Sequence, residues 1–158
     1  MLSFQPLGRQ AALEILQWKY EPPYDLYNHR PEEAEGDLRC LLDPKNGFFS
    51  IHDPDGRVIG FCSFGPDARV SGGNYEGDAL DIGLGIRPDL TGRGGGTRMI
   101  GEVLDFAAER FRPAQFRVTI AGFNARARKA WTKAGFAEIQ EFDRKTDGRK
   151  FVILMKKV

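Results

Sequence analysis

The chain has 158 residues, of which 41% are hydrophobic and 28% are charged, and its formal net charge is +1. This size and composition predict one globular domain spanning residues 1–158. The nearly neutral charge gives no general attraction to nucleic acid or to an anionic membrane, and no apolar run approaches the ~20 residues that a membrane helix needs.

The cysteines, the histidines and the N-terminus favour a cytoplasmic protein without a metal. The two cysteines, Cys40 and Cys62, make no disulfide framework. The two histidines, His29 and His52, have no metal-ligand spacing. The first residues lack the basic start and the apolar core of a signal peptide, so a reducing cytoplasm is the expected location.

Hydrophobic periodicity divides the chain into strands and helices. Their order, β-α-α-β-β-β-α-β-α-β-β, predicts an α/β (α+β) fold with a mixed, mainly antiparallel sheet of six to seven strands, flanked by about four helices. Prolines and glycines mark many boundaries. The predicted elements are a strand at 2–7, helices at 10–18 and 31–42, a hairpin of strands at 47–52 and 57–64, a strand at 79–86, a helix that ends near 111, a strand at 116–121, a helix at 125–134, and strands at 136–142 and 151–156.

The segment Lys19–His29 contains two adjacent prolines and three tyrosines. The prolines disfavour a helix. The three rings either fill the gap between the flanking helices or form a substrate-facing wall, because tyrosine has an apolar body and a polar tip. Tyr24 and Tyr27 are therefore candidate substrate contacts.

The stretch Ala79–Phe111 combines a strand, a glycine-rich loop and a helix. Bulky side chains alternate with small or acidic ones along the strand, which predicts one packed face and one nearly bare face. Pro88 interrupts the strand ladder, and an amphipathic helix follows the loop. The packed face carries Leu80, Ile82, Leu84 and Ile86, and the bare face carries Asp81, Gly83 and Gly85.

The loop Thr91–Thr97 has the features of an anion-binding cradle. Glycine allows a tight turn whose N–H groups approach a ligand closely, and the first turn of the next helix adds unpaired N–H groups and a positive dipole. A phosphate or pyrophosphate is the expected ligand, with Arg93 and Arg98 adding charge. The alternative is a tight surface turn. Neither a P-loop nor a dinucleotide fingerprint fits, because no lysine follows Gly96 and Thr97 replaces the last glycine.

Two segments resemble signatures of the GNAT superfamily of acyl-CoA N-acyltransferases. Gly92–Gly96 resembles motif A, Arg/Gln-x-x-Gly-x-Gly/Ala. Gly94 and Gly96 occupy its glycine positions, whereas Thr91 departs from the first position. Asn124–Phe136 resembles the family's Asn-x-x-Ala-x-x-x-Tyr-x-x-x-Gly-Phe. The order of elements also matches, so the resemblance covers nearly the whole chain.

The resemblance implies an N-acetyltransferase that uses acetyl-CoA as co-substrate and works as a monomer or homodimer. It implies transfer of an acetyl group to a primary amine by direct attack in a ternary complex. The pantetheine arm would lie between strands 79–86 and 116–121, with the Ile86 N–H as the oxyanion donor. Arg128 would either meet the 3′-phosphate or be solvated. The implied coenzyme contacts are Leu84, Gly85 and Ile86 for the arm, Gly92, Arg93, Gly94, Gly95, Gly96 and Thr97 for the pyrophosphate, and Asn124 for the arm or the thioester end.

Asp81 is the candidate general base. It precedes Ile86 by five residues, where some family members carry a catalytic glutamate. The bare strand face around Asp81 would leave room for a substrate. The alternative is an acidic strand residue that pairs with an arginine. Glu76 and Asp78 are rival bases, or they attract a cationic amine.

Trp131 occupies the position at which many relatives have a tyrosine that protonates the departing thiolate. The indole N–H donates a hydrogen bond but does not titrate, so Trp131 can wall the substrate site but cannot act as the acid. Three alternatives follow. The thiolate leaves without help from the protein, another tyrosine (Tyr24, Tyr27 or Tyr75) acts as the acid in place of the missing one, or catalysis is weak. Together with Thr91, this departure keeps open an alternative function, a non-catalytic acyl-CoA-binding regulatory module.

The sequence leaves the acceptor open among a protein N-terminus, a lysine, a polyamine, an aminoglycoside antibiotic and a metabolite. The inferred lining is aromatic and acidic, and it favours a compact cationic amine. Its expected members are Tyr24, Tyr27, Trp131, Glu76 and Asp78.

Overall fold

The computed structural model describes all residues from 1 to 158. Its strands and helices follow the predicted order, with one seven-stranded sheet and four α-helices. The predicted fold class is therefore confirmed. The elements are β1 (Ser3–Pro6), α1 (Arg9–Leu16), α2 (Ala34–Leu42), β2 (Phe48–His52), β3 (Val58–Phe64), β4 (Leu80–Ile86), α3 (Gly95–Phe111), β5 (Gln115–Ala121), α4 (Ala125–Lys133), β6 (Ala137–Asp143) and β7 (Lys150–Lys157).

Differences from the predicted boundaries are one to three residues, and two short 3-10 helices lie beside prolines. A short 3-10 helix at Tyr24–Tyr27 follows the two adjacent prolines, where we predicted no helix. Pro31 begins another 3-10 turn, Pro31–Glu33, which leads into α2. Proline favours a first helical position because its missing N–H would have no intrahelical partner there. None of the four α-helices has the length and apolar character needed to span a membrane.

The sheet has the strand order β1-β2-β3-β4-β5-β7-β6. Every neighbouring pair is antiparallel except β4 and β5, which are parallel. The parallel pairing covers only Leu80–Ile82 of β4 and Phe116–Val118 of β5. Beyond these residues the two strands no longer pair, and a gap opens in the middle of the sheet.

Helices cover both faces of the sheet. On one face α3 and α4 pack through an amphipathic stripe, and Val103 and Ala107 of α3 are fully buried. On the other face, Ile15 of α1 and the adjacent Trp18 pack against Val58 of β3. The gap between β4 and β5 therefore opens toward both helical layers.

The nearly bare face of β4 is covered by its neighbour β3. A Cβ atom at Gly85 would overlap the ring of Phe61, and one at Gly83 would lie 2.5 Å from Ser63 Oγ. The expected room for a substrate beside Asp81 is therefore absent. Glycine is needed at these positions because side chains of β3 occupy the space.

Candidate active site

A cavity of about 730 Å³ fills the gap between β4 and β5. It extends from the loop after α1 to the N-terminal ends of α3 and α4. Its walls contain tyrosines, glycines and three cationic side chains, but no aspartate or glutamate. One continuous cavity thus joins the tyrosine segment, the open edge of β4 and the glycine loop.

The open edge of β4 presents the backbone groups of Leu84 and Ile86. Arg87 N donates to Ile59 O at 2.9 Å, and Gly65 N donates to Asp81 O at 2.9 Å. Odd-numbered residues of β4 therefore direct their backbone groups toward β3. Even-numbered residues direct theirs toward β5 as far as Ile82, and toward the gap beyond it. Gly85 lines the cavity, but its N–H and C=O belong to the β3 side, which corrects its expected role in pairing with a ligand.

Tyr20 closes one end of this edge. Its hydroxyl donates to Ile86 O at 2.7 Å, and burial raises the pKa of Tyr20 to about 12. The phenol is therefore neutral at physiological pH. Tyr20 belongs to the tyrosine segment, but local sequence does not single it out, because this contact joins residues 66 positions apart.

The glycine loop has the geometry of a cradle. Gly92 and Gly94 have φ of 74° and 79°, in the left-handed region that glycine tolerates. Gly94 is the N-cap of α3, and no side chain caps the helix. The first-turn amides are therefore open to an external acceptor. The cavity is lined by Thr91, Gly92, Gly94, Gly96 and Thr97, but not by Arg93 or Gly95.

Arg126, rather than Arg128, reaches the cradle. A Cβ atom at Gly92 would lie 2.8 Å from Arg126 Nη1, and the Arg126 guanidinium lies 4.2 Å from the centre of the Tyr24 ring. Arg126, Lys129 and Lys133 line the cavity. The sequence pattern led us to select Arg128 among the basic residues of α4, whereas the fold places Arg126 beside the glycine loop.

Arg128 is held away from the cavity by other contacts. Its Nε and Nη2 donate to the Glu138 carboxylate at 2.8 and 3.0 Å, and its Nη1 donates to Gly122 O at 2.8 Å. These hydrogen bonds raise the pKa of Arg128 and lower the pKa of Glu138. The expected contact of Arg128 with a 3′-phosphate is therefore replaced by an ion pair.

Asn124, Tyr27 and Trp131 all line the cavity. Asn124 Oδ1 accepts from Ala127 N at 3.0 Å and so caps α4, while its Nδ2 donates to the Tyr27 hydroxyl at 3.3 Å. Trp131 is only 6% exposed and packs edge-on against Phe136. Asn124 thus links the second signature segment to the tyrosine segment.

Asp81 is buried in an ion pair and does not line the cavity. Its side chain is 3% exposed, and its carboxylate accepts from Arg117 Nε at 2.6 Å and Arg117 Nη2 at 2.9 Å. Arg69 Nε adds a third bond at 2.8 Å. The hydrogen bonds to Asp81 raise the pKa of Arg117. This geometry corresponds to the arginine-paired alternative and removes the basis for assigning Asp81 as the general base.

The other expected acidic residues and Tyr75 also lie outside the cavity walls. Glu76 is exposed and offers its backbone oxygen to Arg117 Nη1 at 2.9 Å, and Asp78 is exposed. The Tyr75 hydroxyl bonds Thr119 Oγ1 at 2.8 Å and accepts from Val70 N at 2.9 Å. The acidic part of the expected lining is therefore wrong, and Tyr75 is committed to structural contacts.

The separated parallel strands beside a glycine loop at a helix N-terminus are the arrangement that the sequence resemblance predicts for an acyl-CoA acyltransferase. A family model described as the acetyltransferase (GNAT) family matches residues 11–136, and the chain belongs to this family. A comparison with curated proteins found no significant match.

Solved structures share the fold. A chimeric spermidine N-acetyltransferase SpeG from Vibrio cholerae and hSSAT has a TM-score of 0.73 at 18% identity, over 99% of this chain and 95% of that chain. The aminoglycoside acetyltransferase AAC(6')-Ib, solved with coenzyme A, has a TM-score of 0.77 at 14% identity, over 99% of this chain and 95% of that chain. The Vibrio cholerae spermidine N-acetyltransferase with CoA and spermine has a TM-score of 0.69 at 17% identity, over 99% and 95%.

Proposed function

We propose that the chain transfers the acetyl group of acetyl-CoA to a primary amine by direct attack within a ternary complex. The observation that carries this proposal is the single cavity that joins the glycine cradle, the open edge of β4 and the tyrosine segment. A donor and an acceptor can enter such a cavity from opposite faces of the sheet. The proposal is consistent with the family and with the neighbours solved with coenzyme A.

The donor half of the cavity suits a nucleotide with a long polar arm. The uncapped amides of α3 and the left-handed Gly92 and Gly94 would hold the pyrophosphate. Arg126 adds a guanidinium beside Gly92, which suits a phosphate oxygen. Leu84 would bond the amides of the arm as an added strand does, because the Ile86 carbonyl already accepts from the Tyr20 hydroxyl.

The reaction needs a donor for the oxygen that becomes negative and a proton for the departing sulfur. The Ile86 N–H, on the gap side of β4, is the proposed oxyanion donor. We assign the proton to the Tyr27 hydroxyl, which accepts from Asn124 and so keeps its own proton available to the cavity. Burial raises the pKa of Tyr27, which keeps the phenol protonated. Trp131 walls this region.

The acceptor half favours an amine with an apolar or aromatic body. Its walls include Trp18, Phe61 and the tyrosines of the Lys19–His29 segment, and no carboxylate lines them. Rings contact both apolar groups and a single ammonium. A polycation would lack the carboxylate partners that several ammonium groups require.

The test combines binding and turnover on the purified chain. We expect calorimetry to detect acetyl-CoA binding, and thiol release to require an amine from a panel of arylalkylamines, polyamines, aminoglycosides and peptides. Binding without turnover of any amine would favour the non-catalytic regulatory module. No binding at millimolar acetyl-CoA would contradict the proposed function itself.

A further inference from the structure

His29 and Asp37 form a hydrogen-bonded pair beside the cavity. His29 Nδ1 lies 2.9 Å from Asp37 Oδ2, and the two side chains are 30% and 31% exposed. His29 lines the cavity, while its Nε2 has no hydrogen-bond partner within the chain. A carboxylate on one ring nitrogen fixes the tautomer in which the other nitrogen is free to accept a proton.

The loop that carries His29 is fixed to the open edge of β4. Asn28 Oδ1 accepts from Tyr20 N at 2.6 Å, and Asn28 Nδ2 donates to Tyr20 O at 3.4 Å. The Tyr20 hydroxyl in turn bonds Ile86 O at 2.7 Å. His29 therefore directly follows Asn28, which is hydrogen-bonded to Tyr20. Tyr20 is in turn bonded to Ile86, whose N–H faces the gap.

The cavity walls contain no other group that can serve as a base near neutral pH. The titratable side chains that line them besides His29 are Tyr20, Tyr24, Tyr27, Arg126, Lys129 and Lys133. Phenols, ammonium groups and guanidinium groups stay protonated at neutral pH, whereas imidazole changes charge between about pH 5 and pH 8. Asp81, which the sequence suggested, is already occupied by Arg117 and Arg69.

We propose that His29, oriented by Asp37, is the general base that deprotonates the acceptor amine, directly or through one water. This inference rests on the proposed function. His29 Nε2 takes one proton from the ammonium, and the amine lone pair then forms the bond to the acetyl carbon. As the carbon–sulfur bond breaks, its electron pair stays on sulfur. Sulfur receives the second nitrogen proton either directly or through Tyr27, whose hydroxyl gives its own proton to sulfur and takes up the nitrogen proton. His29 then releases its proton to solvent, so that the products are an amide, a free thiol and one proton.

The surroundings of His29 are compatible with this cycle. The negative Asp37 of α2 stabilises the protonated imidazole that forms during each turnover. Lys19 Nζ donates to the His29 backbone oxygen at 3.3 Å and is the cation that contacts this residue. Tyr20, Tyr24 and Tyr27 are the other titratable groups of the same loop that line the cavity, and all three are phenols. Burial raises the pKa of Tyr20 and of Tyr27.

The test compares His29→Gln with His52→Gln, since these are the two histidines of the chain. His52 lies on β2, bonds Ser50 Oγ at 2.8 Å and does not line the cavity. We expect H29Q to lower kcat at pH 7 by about 100-fold or more and to remove the acidic limb of the kcat/KM profile. The acetyl-CoA affinity of H29Q should stay within about twofold of wild type. H52Q should keep both the wild-type kcat and the acidic limb of the kcat/KM profile.

Two further variants separate a base from a structural residue. Asp37→Asn should retain part of the activity and lower kcat more than it changes KM, because the imidazole loses the carboxylate that orients it. Added imidazole should partly restore His29→Ala, even if H29Q folds poorly. The base assignment is overturned if wild type acetylates an amine and H29Q retains the wild-type kcat and the acidic limb of the pH profile. It is also overturned if added imidazole does not restore the activity of H29A. If wild type acetylates no amine, the proposed function fails and the base assignment falls with it.

Discussion

The Tyr20 hydroxyl donates a 2.7 Å hydrogen bond to the backbone oxygen of Ile86. This bond ties the segment after α1 to the end of β4, where β4 has already separated from β5. The Ile86 carbonyl would otherwise face the gap without a strand partner. Tyr20 thus replaces a missing ladder bond and fixes the strand end that carries the proposed oxyanion donor.

Removing this hydroxyl should loosen the site. We expect Tyr20→Phe to lower the free energy of unfolding by about 0.5–1.5 kcal/mol, because one partly buried hydrogen bond is lost. The rate of acetyl transfer should fall further than acetyl-CoA affinity. Urea unfolding and steady-state kinetics measure these effects. Tyr24→Phe is the stability control, since no hydrogen bond of the Tyr24 hydroxyl exists in the structure; equal stability loss in both variants would contradict the assigned role of Tyr20.

The cradle can be tested by adding a charged side chain at Gly94. Gly94 has φ of 79° and is the N-cap of α3, next to the proposed pyrophosphate position. Gly94→Glu therefore adds both backbone strain and a carboxylate that repels the pyrophosphate. We expect acetyl-CoA affinity to fall by about 100-fold or more in calorimetry. Gly101→Glu makes the same change at an exposed position of α3, where a Cβ meets no atom within 4 Å, and should bind as wild type does. Unchanged affinity in G94E would refute the phosphate position.

The two arginines of α4 should differ in their effect on binding. Arg126→Ala should weaken acetyl-CoA binding by about tenfold, close to the ~1.5 kcal/mol of one charge-assisted hydrogen bond. Arg128→Ala should leave affinity unchanged, because Arg128 is paired with Glu138. Calorimetry at two salt concentrations measures both, and the R126A difference should shrink at high salt. A larger loss in R128A than in R126A would reverse our assignment.

Asp81 should prove to be a structural residue. Asp81→Asn removes the carboxylate from Arg117, which is 1% exposed, and should lower the free energy of unfolding by about 3–5 kcal/mol, because a buried charge loses its partner. Glu138→Gln breaks the more exposed pair with Arg128 and should cost less than about 1 kcal/mol. Urea unfolding compares them. Wild-type stability together with a loss of turnover in D81N would restore Asp81 as the catalytic base.

Local patterns predicted the elements and the cradle because the information lies within a few consecutive residues. The alternation of Leu80–Ile86 defines a strand, and the glycines of Gly92–Gly96 permit the left-handed turn before α3. Asn124 caps α4 as its residue type suggests. The order of these elements was sufficient to predict the sheet and its helices, since neighbouring segments tend to pack together.

The tertiary structure alone determined which side chains meet. Asp81 and Arg117 are opposite each other in the parallel register of β4 and β5. The Asp81 carboxylate, which looked free in the sequence, is therefore paired with an arginine 36 positions away. The same holds for Tyr20 with Ile86, and for Arg126 with Gly92. Periodicity states which face a side chain occupies, whereas register and loop placement determine the partner on that face. The sequence by itself therefore determined the order of the elements and the glycine loop before α3. The tertiary structure decided which charged side chains pair and which residues line the cavity.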